Sequence, residues 1–123
     1  MTIFEAIAGA DKVKENQIDK SLKIGWLSEL DGRINHEIID SYGTSDVAFS
    51  GYTESVNPDT KLLVAAPYDY LYIYWLVWHM ETMLGEEARA NNTHTQFEEL
   101  WDAYVNWYIR THRAPRSRIR WCR

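Results

Sequence analysis

Tyr70-Leu71-Tyr72-Ile73-Tyr74-Trp75-Leu76-Val77-Trp78-His79-Met80-Glu81-Thr82-Met83-Leu84 is the stretch that decides the fold. Leu71, Ile73, Trp75, Leu76, Val77, Trp78, Met80, Met83 and Leu84 cover nearly every azimuth of a 3.6-residue helix, and a helix that is apolar all round belongs inside protein. Its densest run, Tyr70 to Met80, lies between Asp69 and Glu81 and falls short of the roughly 20 apolar residues that a membrane span needs. No membrane is therefore expected as a partner. Pro67 fits the first helical position, where a missing amide hydrogen costs nothing, and Asp69 in the first turn suits the helix dipole. The spacing predicts a central helix from Pro67 to about Ala90.

Working outward, Thr93 and Gln96 have capping-box spacing and predict the start of another helix. Phe97, Leu100, Trp101, Tyr104, Val105, Tyr108 and Ile109 follow at steps of three and one on one face, opposite Glu98, Glu99, Asp102 and Asn106. Upstream, Asp19 is a cap for a helix whose apolar positions Leu22, Trp26, Leu30, Ile34 and Ile38 recur every four residues, with Gly43 as its stop. Leu27 and Ile39 widen that stripe. Thr2 and Glu5 open a short first helix by the same capping logic. From Thr44 to Ala66 the period changes: Val47 and Phe49 alternate with polar neighbours, Asn57-Pro58-Asp59 marks a turn, and Leu62-Leu63-Val64 is a short apolar run. A short β-hairpin or extended arm is expected at 44–66. Two strands alone are marginal in water, so this arm is expected to pack on a neighbouring chain.

The expected fold is thus mainly α, a small bundle of about four helices with that arm between its second and third long segments. A chain of 123 residues fits one domain, and 46% hydrophobic content supplies the apolar surface for a core. The domain is placed at 1–112, with Trp26, Leu30, Trp75, Leu76, Met80, Trp101 and Tyr104 as core candidates. Residues 113–123 form an arginine-rich tail with too few apolar residues to pack alone. With six of the 13 basic residues at or beyond Arg110, the first 109 residues hold seven bases against all 18 acids, a formal charge of −11. The body is acidic and the tail basic.

Cys122 is the sole cysteine, which excludes an intrachain disulfide and fits synthesis in the cytoplasm. Met1 to Ala10 contains Glu5 and lacks a basic leader, so no signal peptide is expected. In a cytoplasmic chain the Asn91-Asn92-Thr93 tripeptide has no glycosylation machinery to meet.

Little in the chain suggests chemistry. Metalloprotease, zinc-ribbon, phosphate-loop and nucleophile-elbow spacings do not occur. His36 and Asp40 stand four apart, but two ligands do not make a metal site. His79 near Glu81 reads as a hydrogen-bonded core or interface histidine, since no nucleophile lies nearby. Glu86-Glu87 and Glu98-Glu99 read as hydrated surface, and a terminal thiol such as Cys122 has no fixed base. The expectation is a non-enzyme without metal or cofactor.

More aromatic rings are present than one small core buries. Tyr68, Tyr70, Tyr72 and Tyr74 alternate along the chain, and tyrosine suits surfaces that bury a ring while keeping its hydroxyl wet. Phe49, Tyr52, Tyr70 and Tyr74 are accordingly candidates for an assembly surface, with Arg113, Arg116, Arg118, Arg120 and Trp121 of the tail. The tail has a second reading as a nucleic-acid arm, arginines on phosphates and Trp121 stacked on a base. Docking on an acidic protein surface is preferred, because the acidic body repels the polyanion that the tail attracts.

Trp26-Leu27-Ser28-Glu29-Leu30-Asp31-Gly32, Glu37-Ile38-Ile39-Asp40, Gly51-Tyr52, Ala66-Pro67-Tyr68-Asp69, Leu71-Tyr72, Tyr74-Trp75-Leu76, Asn91-Asn92 and Arg110-Thr111-His112 form an ordered series. This series, over roughly residues 18 to 113, resembles the head-tail connector (adaptor or head completion) proteins of long-tailed bacteriophages. The resemblance implies a helical virion structural subunit that forms a homo-oligomeric ring, a dodecamer, under the portal protein at the virion neck. It also implies a tail-side connector or tail protein below the ring, DNA passing through without sequence-specific binding, and assembly in the host cytoplasm. Val77 and Trp78 make the central helix more apolar than expected in that family, and the arginine tail extends beyond its usual end. A small nucleic-acid-binding accessory protein using that tail is the alternative function.

Overall fold

The computed structural model describes residues 1–39 and 49–111. Four α-helices, Ile3–Val13 (α1), Lys20–Ile34 (α2), Leu71–Met83 (α3) and Glu87–Thr111 (α4), make a mainly helical bundle. Among the described residues there is no strand; a single antiparallel bridge joins Thr2 to Lys61.

The α1 helix begins as its residues predict. Glu5 N donates to Thr2 Oγ1 at 3.1 Å and Thr2 N donates to Glu5 Oε1 at 2.9 Å, so two otherwise unpaired amides are satisfied reciprocally. Its inner face is Ile3, Ala6, Ile7 and Ala10. Gly9 permits a close approach to α3, since a Cβ there would stand 2.7 Å from Ile73 Cδ1.

The expected stripe of α2 is rotated. Leu22 is 43% exposed, and the buried face is Lys23, Ile24, Leu27, Leu30, Asp31 and Ile34. After Ile34 the chain takes one π-helical turn, Asn35–Ile39, in place of a continuous α-helix toward Gly43. Asp40, Gly43 and Val47 lie outside the described residues.

The α3 helix is the spine, in contact with α1, α2 and α4. Leu71, Tyr72, Ile73, Trp75, Leu76, Val77 and Met80 are buried along it. Two expectations about its ends are corrected. Pro67 precedes a 3₁₀ turn, Tyr68–Tyr70, that leads into α3. At the other end α3 stops at Met83 instead of Ala90, and Met83 and Leu84 are exposed. Gly85, at φ +79°, makes the reversal that side-chain-bearing residues resist. The next helix then starts at Glu87, before the Thr93-Gln96 pair, because Thr93 already lies in its second turn and bonds across to α3. At 25 residues, α4 is about 37 Å long.

Among the described residues the expected β-hairpin is not found. The described part of that segment, residues 49–66, is an irregular strap on the chain's own bundle, not a projecting arm. Ile3 N donates to Thr60 O, Phe4 N to Pro58 O and Leu62 N to Met1 O, each at 3.0 Å. Leu62 and Val64 are buried. The physical reason is that the free amides at the start of α1 take the strap's carbonyls.

Of the core candidates, Leu30, Trp75, Leu76, Met80 and Tyr104 are buried, while Trp26 and Trp101 are half-buried at its margin. The Trp75 indole Nε1 donates to the Trp26 carbonyl at 2.8 Å, linking α3 to α2 through a polar tip as well as a ring. Replacing Trp75 with alanine removes both, and a buried tryptophan truncation costs about 3–5 kcal/mol. Urea unfolding of Trp75→Ala is expected to show a loss of that size; a parent-like midpoint would remove Trp75 from the core.

Candidate functional site

Among the buried polar side chains of the described residues, Asp31, fully buried on the inner face of α2, accepts three hydrogen bonds. Tyr72 of α3 donates its hydroxyl to Asp31 Oδ1 at 2.6 Å, and Tyr52 of the strap donates to Oδ2 at 2.5 Å. Leu63 N also donates to Oδ2, at 3.2 Å. The Tyr72 hydroxyl in turn accepts from Val64 N at 2.8 Å. Beside this node Tyr52 N donates to Ser28 Oγ at 3.0 Å. Gly51, at φ +90°, aims that amide inward, and a Cβ on it would stand 3.0 Å from the Ser28 hydroxyl.

Burial raises the pKa of Asp31 above the usual carboxylate range, while the bonds from Tyr52, Tyr72 and Leu63 pull it back down. Both phenols are pushed far up, first by burial and then by the carboxylate beside them. Tyrosinate is therefore excluded at neutral pH, and each hydroxyl serves as a donor to Asp31. The node closes α2, α3 and the strap on one another and leaves the carboxylate no access to solvent.

A second cluster is aromatic. His79 stacks on Trp26 with centroids 4.8 Å apart and planes 11° from parallel, and both Trp75 and Trp78 lie 4.6 Å from it. Its Nε2 is buried and makes no hydrogen bond among the described residues. Burial drives its pKa from 6.5 down to about 4. Glu81, two residues on, is buried and accepts from Thr93 Oγ1 at 2.5 Å.

The stack continues outward through Trp78–His94 and Phe97–Trp101 to a cleft of about 230 Å³ between α2 and α4, lined by Arg33, His94, Phe97, Glu98, Trp101 and Asp102. The Arg33 guanidinium carbon sits 4.4 Å from the Trp101 ring centre.

The candidate assembly residues are dispersed. Phe49 meets Tyr52 edge-on at 5.0 Å and is 3.9 Å from the place of a Cβ on Gly32, and the Tyr52 hydroxyl is committed to Asp31. Both are thus bonded or packed within their own chain. Tyr74 is half-buried and Tyr70 is 59% exposed. Tyr68 lies against Tyr104 and Trp107. Arg113, Arg116, Arg118, Arg120 and Trp121 lie outside the described residues, as does Cys122.

Among the described residues no group of three His, Cys, Asp or Glu side chains is placed to hold a metal, and no helix is long and apolar enough to cross a membrane. The Asp31 node was missed from the sequence. A signal for it existed, because Lys23, Leu27 and Asp31 recur every four residues and bring two charges onto an apolar face.

No family model matches the chain, and no curated protein and no solved structure matches it.

Tyr72→Phe removes a donor to Asp31 and the acceptor of Val64 N, and an unsatisfied buried group costs roughly 1–3 kcal/mol. Denaturant unfolding is expected to show at least that loss, with a greater one for Asp31→Ala, which orphans two hydroxyls and an amide. Equal stability of Tyr72→Phe and the parent would count against the node. For His79 the folded pKa lies below the unfolded one. Its contribution to stability is present above pH 6.5 and is lost as pH falls toward about 4. The melting temperature of His79→Phe is expected to fall less over that window than the parent's.

Proposed function

We propose that this chain is a structural subunit of a phage head-tail connector, a ring-forming adaptor without catalytic activity. The observation that carries the reading is the ordered motif series, three of whose members meet in space. Ser28 and Asp31 from its first motif, Gly51-Tyr52 from its third and Tyr72 from the run after Pro67 all converge on one node. Motifs without catalytic spacing are accounted for if their task is to hold a strap and two helices in one arrangement.

The outer surface adds support. Asp11–Lys23 and Lys14–Glu86 ion pairs tie the end of α1 to the start of α2 and to the α3–α4 turn. Exposed Val13, Leu22, Met83 and Leu84 therefore share one end of the bundle, and Phe4 and Tyr70 lie toward the other. Two different apolar surfaces on one subunit suit heterologous contacts, which close into rings. On this reading the partners are further copies of the chain, the portal protein and a tail-side protein, at the virion neck after assembly in the host cytoplasm. DNA passes through the ring without being gripped.

Native mass measurement of the full chain, alone and with a portal ring, is the test. A discrete multimer on the portal is expected, and a chain that neither assembles nor binds the portal would end the proposal. Tight DNA binding at physiological salt that disappears on truncation after His112 would favour the nucleic-acid-binding alternative instead.

A further inference from the structure

The cleft between α2 and α4 combines features that suit guanidinium groups. Its walls are the Phe97 and Trp101 rings, 6.0 Å apart, and its rim carries Glu98 and Asp102. One guanidinium is already seated there: Arg33 lies over Trp101, and its Nε donates to Glu37 Oε2 at 2.8 Å. Glu37 takes the Arg33 guanidinium, so the two rim carboxylates add negative charge to the cleft. His94 Nδ1 lies 2.7 Å from Glu98 Oε1, whereas Asp102 pairs with no cation among the described residues.

The segment beyond α4 has the complementary chemistry. Arg113, Arg116, Arg118, Arg120 and Arg123 are interrupted by no acidic residue, and Ile119 and Trp121 are interspersed among them. Planar guanidinium groups pair bidentately with carboxylates and stack on aromatic faces, and in this cleft the Trp101 ring that seats Arg33 stands beside the Glu98 and Asp102 carboxylates. Reach also agrees. From Thr111 back along α4 to Asp102 is about 14 Å, and to Glu98 about 20 Å, at 1.5 Å per residue. An extended chain covers about 17 Å to Arg116 and 24 Å to Arg118.

We propose that the arginine segment 113–121 docks back onto the acidic, aromatic-walled cleft between α2 and α4 of its own chain, with arginines on Glu98 and Asp102. This docking concerns the isolated subunit and does not rest on the connector reading. It gives the basic segment a protein ligand within the chain, which a nucleic acid would have to displace.

Cys122, as the sole cysteine, permits a direct test on the full chain. A nitroxide attached to it should broaden the backbone amide signals of residues 94–102 and the Trp101 indole signal. That broadening should be lost in Glu98→Lys/Asp102→Lys, whose positions are exposed, and weakened by added salt. Should the charge-reversed chain not fold, the Glu98→Gln/Asp102→Asn pair should show the same loss. Mixing isotope-labelled, spin-free chain with unlabelled, spin-labelled chain separates the origin, and no broadening is expected in that mixture. Broadening indifferent to both pairs of substitutions, concentrated elsewhere, or seen only in the mixed sample would overturn the proposal.

Discussion

The carboxylate of Asp31 is fully buried on a mostly apolar helix face, and two helices and the strap depend on how it is satisfied. An unpaired buried charge is very costly, so the arrangement around it is constrained: donors must arrive from α3 and from the strap in the same fold. Tyr72 meets this requirement from α3 and also accepts from Val64 N, so one hydroxyl holds the carboxylate and the strap together. Residues 49–66 thereby acquire a defined path without a ladder of strand hydrogen bonds.

Other interior polar groups are handled differently. Lys23 is buried but reaches Asp11 at 2.8 Å, and Asn16 donates to Asp11 at 3.0 Å, so the end of α1 and the start of α2 are joined by a charged cluster at the margin of the core. Glu81 relies on Thr93 of α4. His79 instead is packed among indole rings, where burial lowers its pKa, and Asp31 carries the polar burden farther along the α2–α3 contact. Polar contacts of this kind specify which helix faces meet, while the area buried by Leu27, Leu30, Leu76 and Met80 supplies most of the cohesion.

The aromatic surplus is divided between interior and surface. Some rings are consumed internally: Tyr68 on Tyr104 and Trp107, and Trp78 between His79 and His94. Others stay at the surface, Tyr70 above all, together with exposed aliphatic groups at the far end of the bundle.

The sequence by itself determined what local periodicity and capping chemistry control: a mainly helical chain, a central all-round apolar helix, the α1 capping box, and the amphipathic face of α4 carrying Phe97, Tyr104 and Tyr108. These follow from interactions within a few residues. The break after Met83 was misplaced because Gly85 is a single residue inside a helical pattern, and the Thr93-Gln96 pair nearby is an equally good local start signal. Only the tertiary structure decided that Thr93 faces Glu81, that the α2 stripe turns to bring Lys23 and Asp31 inward, and that residues 49–66 lie as a strap without strands. The physical reason is sequence distance: Asp31 is completed by partners 21, 32 and 41 residues away, and no local pattern encodes a bond that exists only when those segments pack together.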